Sequence, residues 1–183
     1  MSHAPPLFDA AFGEAFETLL RWRRDVRHFT AQPVVEQDMM ELLLLATLAP
    51  SVGNAQPWRF VRLRSPGLRE ALAAHVDSEN ARAAMRYAGK PRYEEYTKLK
   101  LHGLREAPEL LAVFCDEKAR AGDGLGIATM PEMLRYSCVA AVQTMWLAAR
   151  LRGIGLGWVS ILEPAALADM LDVPAHWSLV ALL

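Results

Sequence analysis

The stretch RWRRDVRHF at 21–29 sets Asp25 among four arginines, Arg21, Arg23, Arg24 and Arg27. Guanidinium forks match phosphate oxygens two bonds at a time, and two or three converging on one point neutralise a dianion. Charge alone also allows a plainer reading, a solvated face laced with salt bridges. A second stretch, APSVGNAQPW at 49–58, contains all that a helix stop and a turn need. Asn54 and Gln56 go beyond that need, since they offer donors and acceptors to a polyhydroxylated chain or the edge of a heterocycle, and small neighbours let a ligand approach the backbone. A third, RGIGLGWVS at 152–160, carries alternating glycines. A dinucleotide fingerprint requires a strand before such glycines and a helix after them, and here the order is reversed. Gly153 instead suits the cap of the preceding helix, and Gly155 and Gly157 suit strand positions against which a flat ring could lie. Ser160 ends that strand, its hydroxyl either facing a ligand or bonded to its own neighbours.

Hydrophobic periodicity supplies the elements that must position these stretches. Phe12, Phe16, Leu19 and Leu20 predict a helix over 12–23 that ends at the arginine cluster. A second helix runs over 36–49 and stops at Pro50. WRFVRL at 58–63 alternates as a strand with one wet face. Residues 66–105 read as a polar helical excursion over the core, broken near Gly89 and Pro91. PELLAVFC at 108–115 is a buried strand and ARAGDGLG a loop. Thr129 and Glu132 form a capping box with Pro131, opening a long helix to Arg152 that is apolar nearly all round and therefore buried, in the domain or against a partner. GLGWVSI is a strand, EPAALADML a short helix and WSLVALL a last strand. The order predicts one α+β domain over 1–183, a layered fold with a central mixed or antiparallel sheet flanked by helices.

Composition excludes several functions. With 20 Lys+Arg against 21 Asp+Glu the net charge is -1, so no basic field exists to hold nucleic acid. The longest apolar run, LLLLATLAP, is too short to span a bilayer, and the N-terminus lacks the features of a secretory signal. The expected location is the cytoplasm. Cys115 and Cys138 are far apart in apolar surroundings and read as buried, reduced thiols. His3, His28, His75, His102 and His176 form no pair at i, i+4 and have no carboxylate at ligand spacing, so no metal is expected.

Taken in order, RRDVRHF, APSVGNAQPW, PEMLRYS and GIGLGWVS resemble the flavin-binding nitroreductase superfamily over nearly the whole chain. Ordinary nitroreductases carry a serine at the position of Asp25, in a pattern RRSxRxF. RRDVR, with PWRFV, LKLHGLREAP and GWVSI, resembles instead the 5,6-dimethylbenzimidazole synthase branch. The resemblance implies an enzyme that fragments reduced FMN with dioxygen to 5,6-dimethylbenzimidazole, the lower ligand of vitamin B12, releasing erythrose 4-phosphate. It implies that Arg23, Arg24, Asp25, Val26 and Arg27 hold the FMN phosphate and flavin edge, together with Ser51, Asn54, Gln56, Leu99, Leu101 and Ser160. Asp25, its carboxylate ionised beside cations, and Ser160 are the implied catalytic pair. The resemblance further implies a homodimer with each flavin between subunits, the long helix at the interface, a lid from 66–105, and a separate flavin reductase as electron source. Relatives in the superfamily usually continue past the last strand with an arm, whereas this sequence ends at Leu183: either the arm is missing from it or this member is shorter. The alternative is an NAD(P)H-dependent nitro- or quinone reductase that retains FMN.

Overall fold

The computed structural model describes residues 5–90, 93 and 103–183. At its centre β1 (Trp58–Arg62), β2 (Leu111–Asp116) and β3 (Trp177–Leu182) form an antiparallel sheet in that order. β2 lies in the middle and every one of its residues is buried. Side chains alternate between the faces of a strand. Leu111, Val113 and Cys115 therefore enter one apolar cluster with Met39, Leu42, Val142 and Met145, while Ala112 and Phe114 enter another with Leu63, Leu72, Val76 and Leu167. A continuous apolar run is what a strand covered on both faces requires. Between Val113 and Phe114 the partners on β3 step from Ala181 to Leu179, so one extra residue bulges the ladder.

Around the sheet lie α1 (Ala10–Trp22), α2 (Glu36–Ala46), α3 (Pro66–Met85), α4 (Gly103–Glu106), α5 (Met133–Leu151) and α6 (Pro164–Met170). The Asp9 carboxylate starts α1 by accepting the Phe12 N–H at 2.8 Å. No residue of α1 is buried. Phe8, Phe12 and Phe16 stack along its outer side, with ring centroids 4.7 and 6.4 Å apart. α5 buries nine residues between α2 and the sheet, as its all-round apolar pattern predicts. No described helix is long and apolar enough to cross a membrane.

Three expectations are corrected. GLGWVSI is not a strand: only Val159 bridges to β3, at Leu182, because neighbouring backbone groups are taken by residues 25–27. The Thr129–Glu132 capping box does not form, since Glu132 is itself the N-cap and makes no side-chain capping bond. A tight turn replaces it, the carbonyls of Met130 and Pro131 accepting the N–H groups of Met133 and Leu134. The polar stretch 66–105 is not a lid throughout, because α3 buries Leu72, Ala73 and Val76 in the second cluster and is a wall of the core. Leu99 and Leu101 lie outside the described residues.

Cys115 and Cys138 are both fully buried and unbridged. A hydrogen bond with Cys115, reinforced by burial, pushes the Cys138 thiol far above its ordinary range. Both thiols are therefore expected to react with an aromatic disulfide reagent only after denaturation, and stoichiometric labelling of the native protein would contradict the packing.

Candidate functional site

The site begins where α1 stops. Arg23 caps the helix in an extended conformation, its N–H donating to Leu19 O, and the chain then runs extended beside residues 156–158. Three hydrogen bonds join these segments. Val26 N–H donates to Leu156 O at 3.0 Å, Trp158 N–H donates to Asp25 Oδ1 at 2.9 Å, and Arg27 Nη2 donates to Trp158 O at 3.1 Å. Arg27 also pairs with the other oxygen of Asp25. The two side chains are 40% and 38% exposed, so the ion pair contributes little to stability, on the order of 0.2–1 kcal/mol. What the arrangement does is orient the carboxylate, with one oxygen held by a backbone amide and the other by a guanidinium, while leaving a side of it open.

The arginines do not converge within one chain. Arg24 turns back on its own helix end and donates to the carbonyls of Arg21 and Arg23, a use of cations at a helix C-terminus that the dipole favours. Arg23 lies over the face of Trp146, 4.8 Å from the ring centre. That contact uses the guanidinium plane and leaves its N–H edge for an anion. Trp146 in turn donates Nε1–H to Arg24 O at 3.1 Å and packs near Trp158, with centroids 6.4 Å apart. Sequence reading passed over Trp146. Its signal was an indole, which needs an acceptor when buried, in a helix of small and aliphatic residues.

Gly153 has φ +70, and the N–H groups of Gly153 and Ile154 donate back to Arg150 O and Ala149 O. This is the helix-capping motif expected of it. Gly155 and Gly157 face something other than the ring predicted for them. A Cβ on Gly155 would meet Val26 Cγ2 at 3.0 Å, and one on Gly157 would meet Val26 O at 2.2 Å. The close body is the chain's own 25–26 segment. Ser160 is exposed two residues beyond the Asp25–Trp158 bond.

The 49–58 stretch forms a separate unit. Ser51 Oγ accepts the Gln56 N–H at 3.1 Å, and Gln56 Nε2 donates to Asn54 Oδ1 at 3.0 Å. Asn54 and Gln56 both have positive φ, 54 and 46, a sparsely populated conformation for residues with a side chain and one that gathers at functional sites. Val52 N–H donates to Ser137 Oγ at 3.0 Å, which fastens this loop to the start of α5. Trp146, under Arg23, is nine residues further along the same helix, roughly 13 Å at 1.5 Å per residue. One chain thus holds the two halves of the predicted site apart. A cavity of about 440 Å³ opens behind the first half, its wall including Val26, Arg27, Phe29, Met145 and Gly157 but neither Asp25 nor Ser160.

Residues 20–183 match the Nitroreductase family. The chain belongs to that family. Among nitroreductase-family proteins it is 53% identical, over 97% of its length and 84% of the relative's, to the 5,6-dimethylbenzimidazole synthase of Rhodospirillum rubrum. It is 45% identical to that of Rhodobacter capsulatus over 95% and 84% of the two chains. The fold is shared with an oxidized iodotyrosine deiodinase crystallised with FMN and 3-iodo-L-tyrosine, at TM-score 0.71 and 25% identity, covering 91% of this chain and 85% of the deiodinase. A guanidinium whose plane rests on Trp146 and a carboxylate held by an amide and a second guanidinium are groups whose chemistry fits a phosphorylated flavin.

Proposed function

We propose that this nitroreductase-family chain fragments reduced FMN with dioxygen to 5,6-dimethylbenzimidazole, the lower ligand of vitamin B12, with erythrose 4-phosphate released. The observation that carries the reading is Asp25, whose carboxylate is pinned by the Trp158 amide and the Arg27 guanidinium while one side stays open. FMN, when bound, supplies both the reactive ring and the carbon skeleton of the product. Arg23 holds the phosphate through the edge of its guanidinium, and Arg24 and Arg27, engaged elsewhere, add positive charge around the same bend. Val26 keeps the backbone of that bend in register with Leu156. Asp25 accepts a proton from the bound molecule, and the Ser160 hydroxyl, on the segment Asp25 anchors, donates a hydrogen bond to it. The reading uses no metal ion, and the electrons come from a separate flavin reductase.

The second half of the site comes from a second copy. Ser51, Asn54 and Gln56 lie at the far end of α5 from Arg23 within one chain, and α1 presents an uncovered row of Phe8, Phe12 and Phe16 beside Leu20. A homodimer covers that row and brings one copy's loop to the other copy's Asp25. The unpaired cysteines suit the reducing cytoplasm.

The test is direct. Protein incubated with reduced FMN in air should yield 5,6-dimethylbenzimidazole by mass spectrometry. Flavin recovered intact, with rapid bleaching of bound flavin by NAD(P)H, would assign the chain to the reductases of its family instead.

A further inference from the structure

The segment Trp158–Glu163 carries Ser160, yet the sheet holds it at one point only, Val159 N–H to Leu182 O at 2.8 Å. Its ends are held by side chains. At the near end Trp158 N–H donates to Asp25 Oδ1. At the far end, three residues past Ser160, Glu163 N–H donates to His75 Nε2 at 3.0 Å. His75 is half-buried on α3, between Leu72 and Val76, which are fixed in the second apolar cluster. The imidazole is thus presented from a rigid wall. Accepting at Nε2 requires the neutral ring with its proton on Nδ1. Glu163 is also the N-cap of α6, its carboxylate accepting the Ala165 N–H at 3.1 Å. One residue therefore receives His75 and starts the next helix.

We propose that His75 is a positioning residue for Ser160, its Nε2 fixing the far end of the segment whose near end Asp25 fixes. The inference rests on the proposed role of Ser160. Ser160 follows the Val159 bridge and the packed Leu162 follows it, so His75 and Asp25 set the direction in which the two ends of the segment leave those points. A misplacement of about 1 Å at a reacting group costs on the order of 10²-fold in rate; with the Val159 bridge and the packing of Leu162 on the second apolar cluster still in place, losing the His75 anchor shifts Ser160 by less than that.

The test compares His75→Leu, which removes the acceptor, with His75→Gln, whose amide oxygen can replace it. In flavin-free protein, deuterium exchange of the peptide spanning 158–163 is expected to rise about tenfold in His75→Leu and to stay within about twofold of wild type in His75→Gln. With reduced FMN and air, product yield is expected to fall about tenfold in His75→Leu, with FMN affinity within twofold, and to recover to at least half in His75→Gln. Wild-type exchange and yield in His75→Leu would overturn the proposal, as would an equal fall in both variants. If His75→Leu does not fold, His75→Lys, which keeps an aliphatic stem and offers donors only, takes its place with the same expectations. A wild-type protein that makes no 5,6-dimethylbenzimidazole would defeat the proposed function, while the exchange comparison would still decide whether His75 anchors the segment.

Discussion

Asp25→Asn is expected to lower 5,6-dimethylbenzimidazole formation by about 10²–10⁴-fold, the range that a positioned proton acceptor contributes, while leaving FMN affinity within about threefold. The split follows from the contacts. An asparagine keeps Oδ1 where it can accept the Trp158 N–H, now at 2.9 Å, so the two segments stay joined and Ser160 stays in place. What it loses is the charge that pairs with Arg27 and the capacity to take a proton. The exposed ion pair contributes little to folding, so the melting temperature should change by no more than a few degrees. Asp25→Ala removes the acceptor as well, and should loosen the segment in addition to stopping turnover. The measurement is product by mass spectrometry beside flavin binding by fluorescence quenching. Product at the wild-type rate from Asp25→Asn would remove the carboxylate from the chemistry.

Gly157→Ala has the second large effect, on the fold of the site itself. Its φ is not in the left-handed region, so the penalty is purely one of space. An added Cβ would stand 2.2 Å from Val26 O and 3.4 Å from Asp25 Oδ1. A backbone oxygen has no rotamer by which to step aside. Residues 25–27 and 156–158 must therefore separate, stretching the bonds from Val26 N–H to Leu156 O and from Trp158 N–H to Asp25. Overpacking costs about 1–3 kcal/mol and each of the two weakened hydrogen bonds about 1 more, which for a chain of this length lowers the melting temperature by about 6–20 °C. Gly155→Ala is the control. Its nearest contacts are the Val26 methyls at 3.0 and 3.2 Å, which can rotate, so a smaller shift is expected. Equal melting temperatures for Gly157→Ala and wild type would show that the two segments are not packed as described.

Much of this protein is legible in its sequence wherever the signal is local. β2 reads as a buried strand because six consecutive residues meet apolar surroundings on both faces. Gly153 reads as a cap because a left-handed residue must end α5. The residue types around Asp25 admit phosphate recognition beside a plain salt-bridged face, and the proton role of Asp25 comes from the family resemblance and not from residue type. Other signals mislead for identifiable reasons. The alternation in GLGWVSI looks like a strand, but its backbone is claimed by Val26 and by the Asp25 side chain. The polar surface of 66–85 conceals a narrow buried stripe at Leu72, Ala73 and Val76.

Only the tertiary structure assigns partners. Four arginines within seven residues are equivalent as a string, yet Arg24 caps its own helix, Arg23 lies on Trp146 and Arg27 grips Asp25. Asp25 meets an amide 133 residues away. Sequence determined the inventory of charges, glycines and apolar runs because these follow from local propensity and period. Which charge meets which partner depends on how α1, α3 and α5 pack about one sheet, since a hydrogen bond reaches only about 3 Å and packing alone brings distant segments that close.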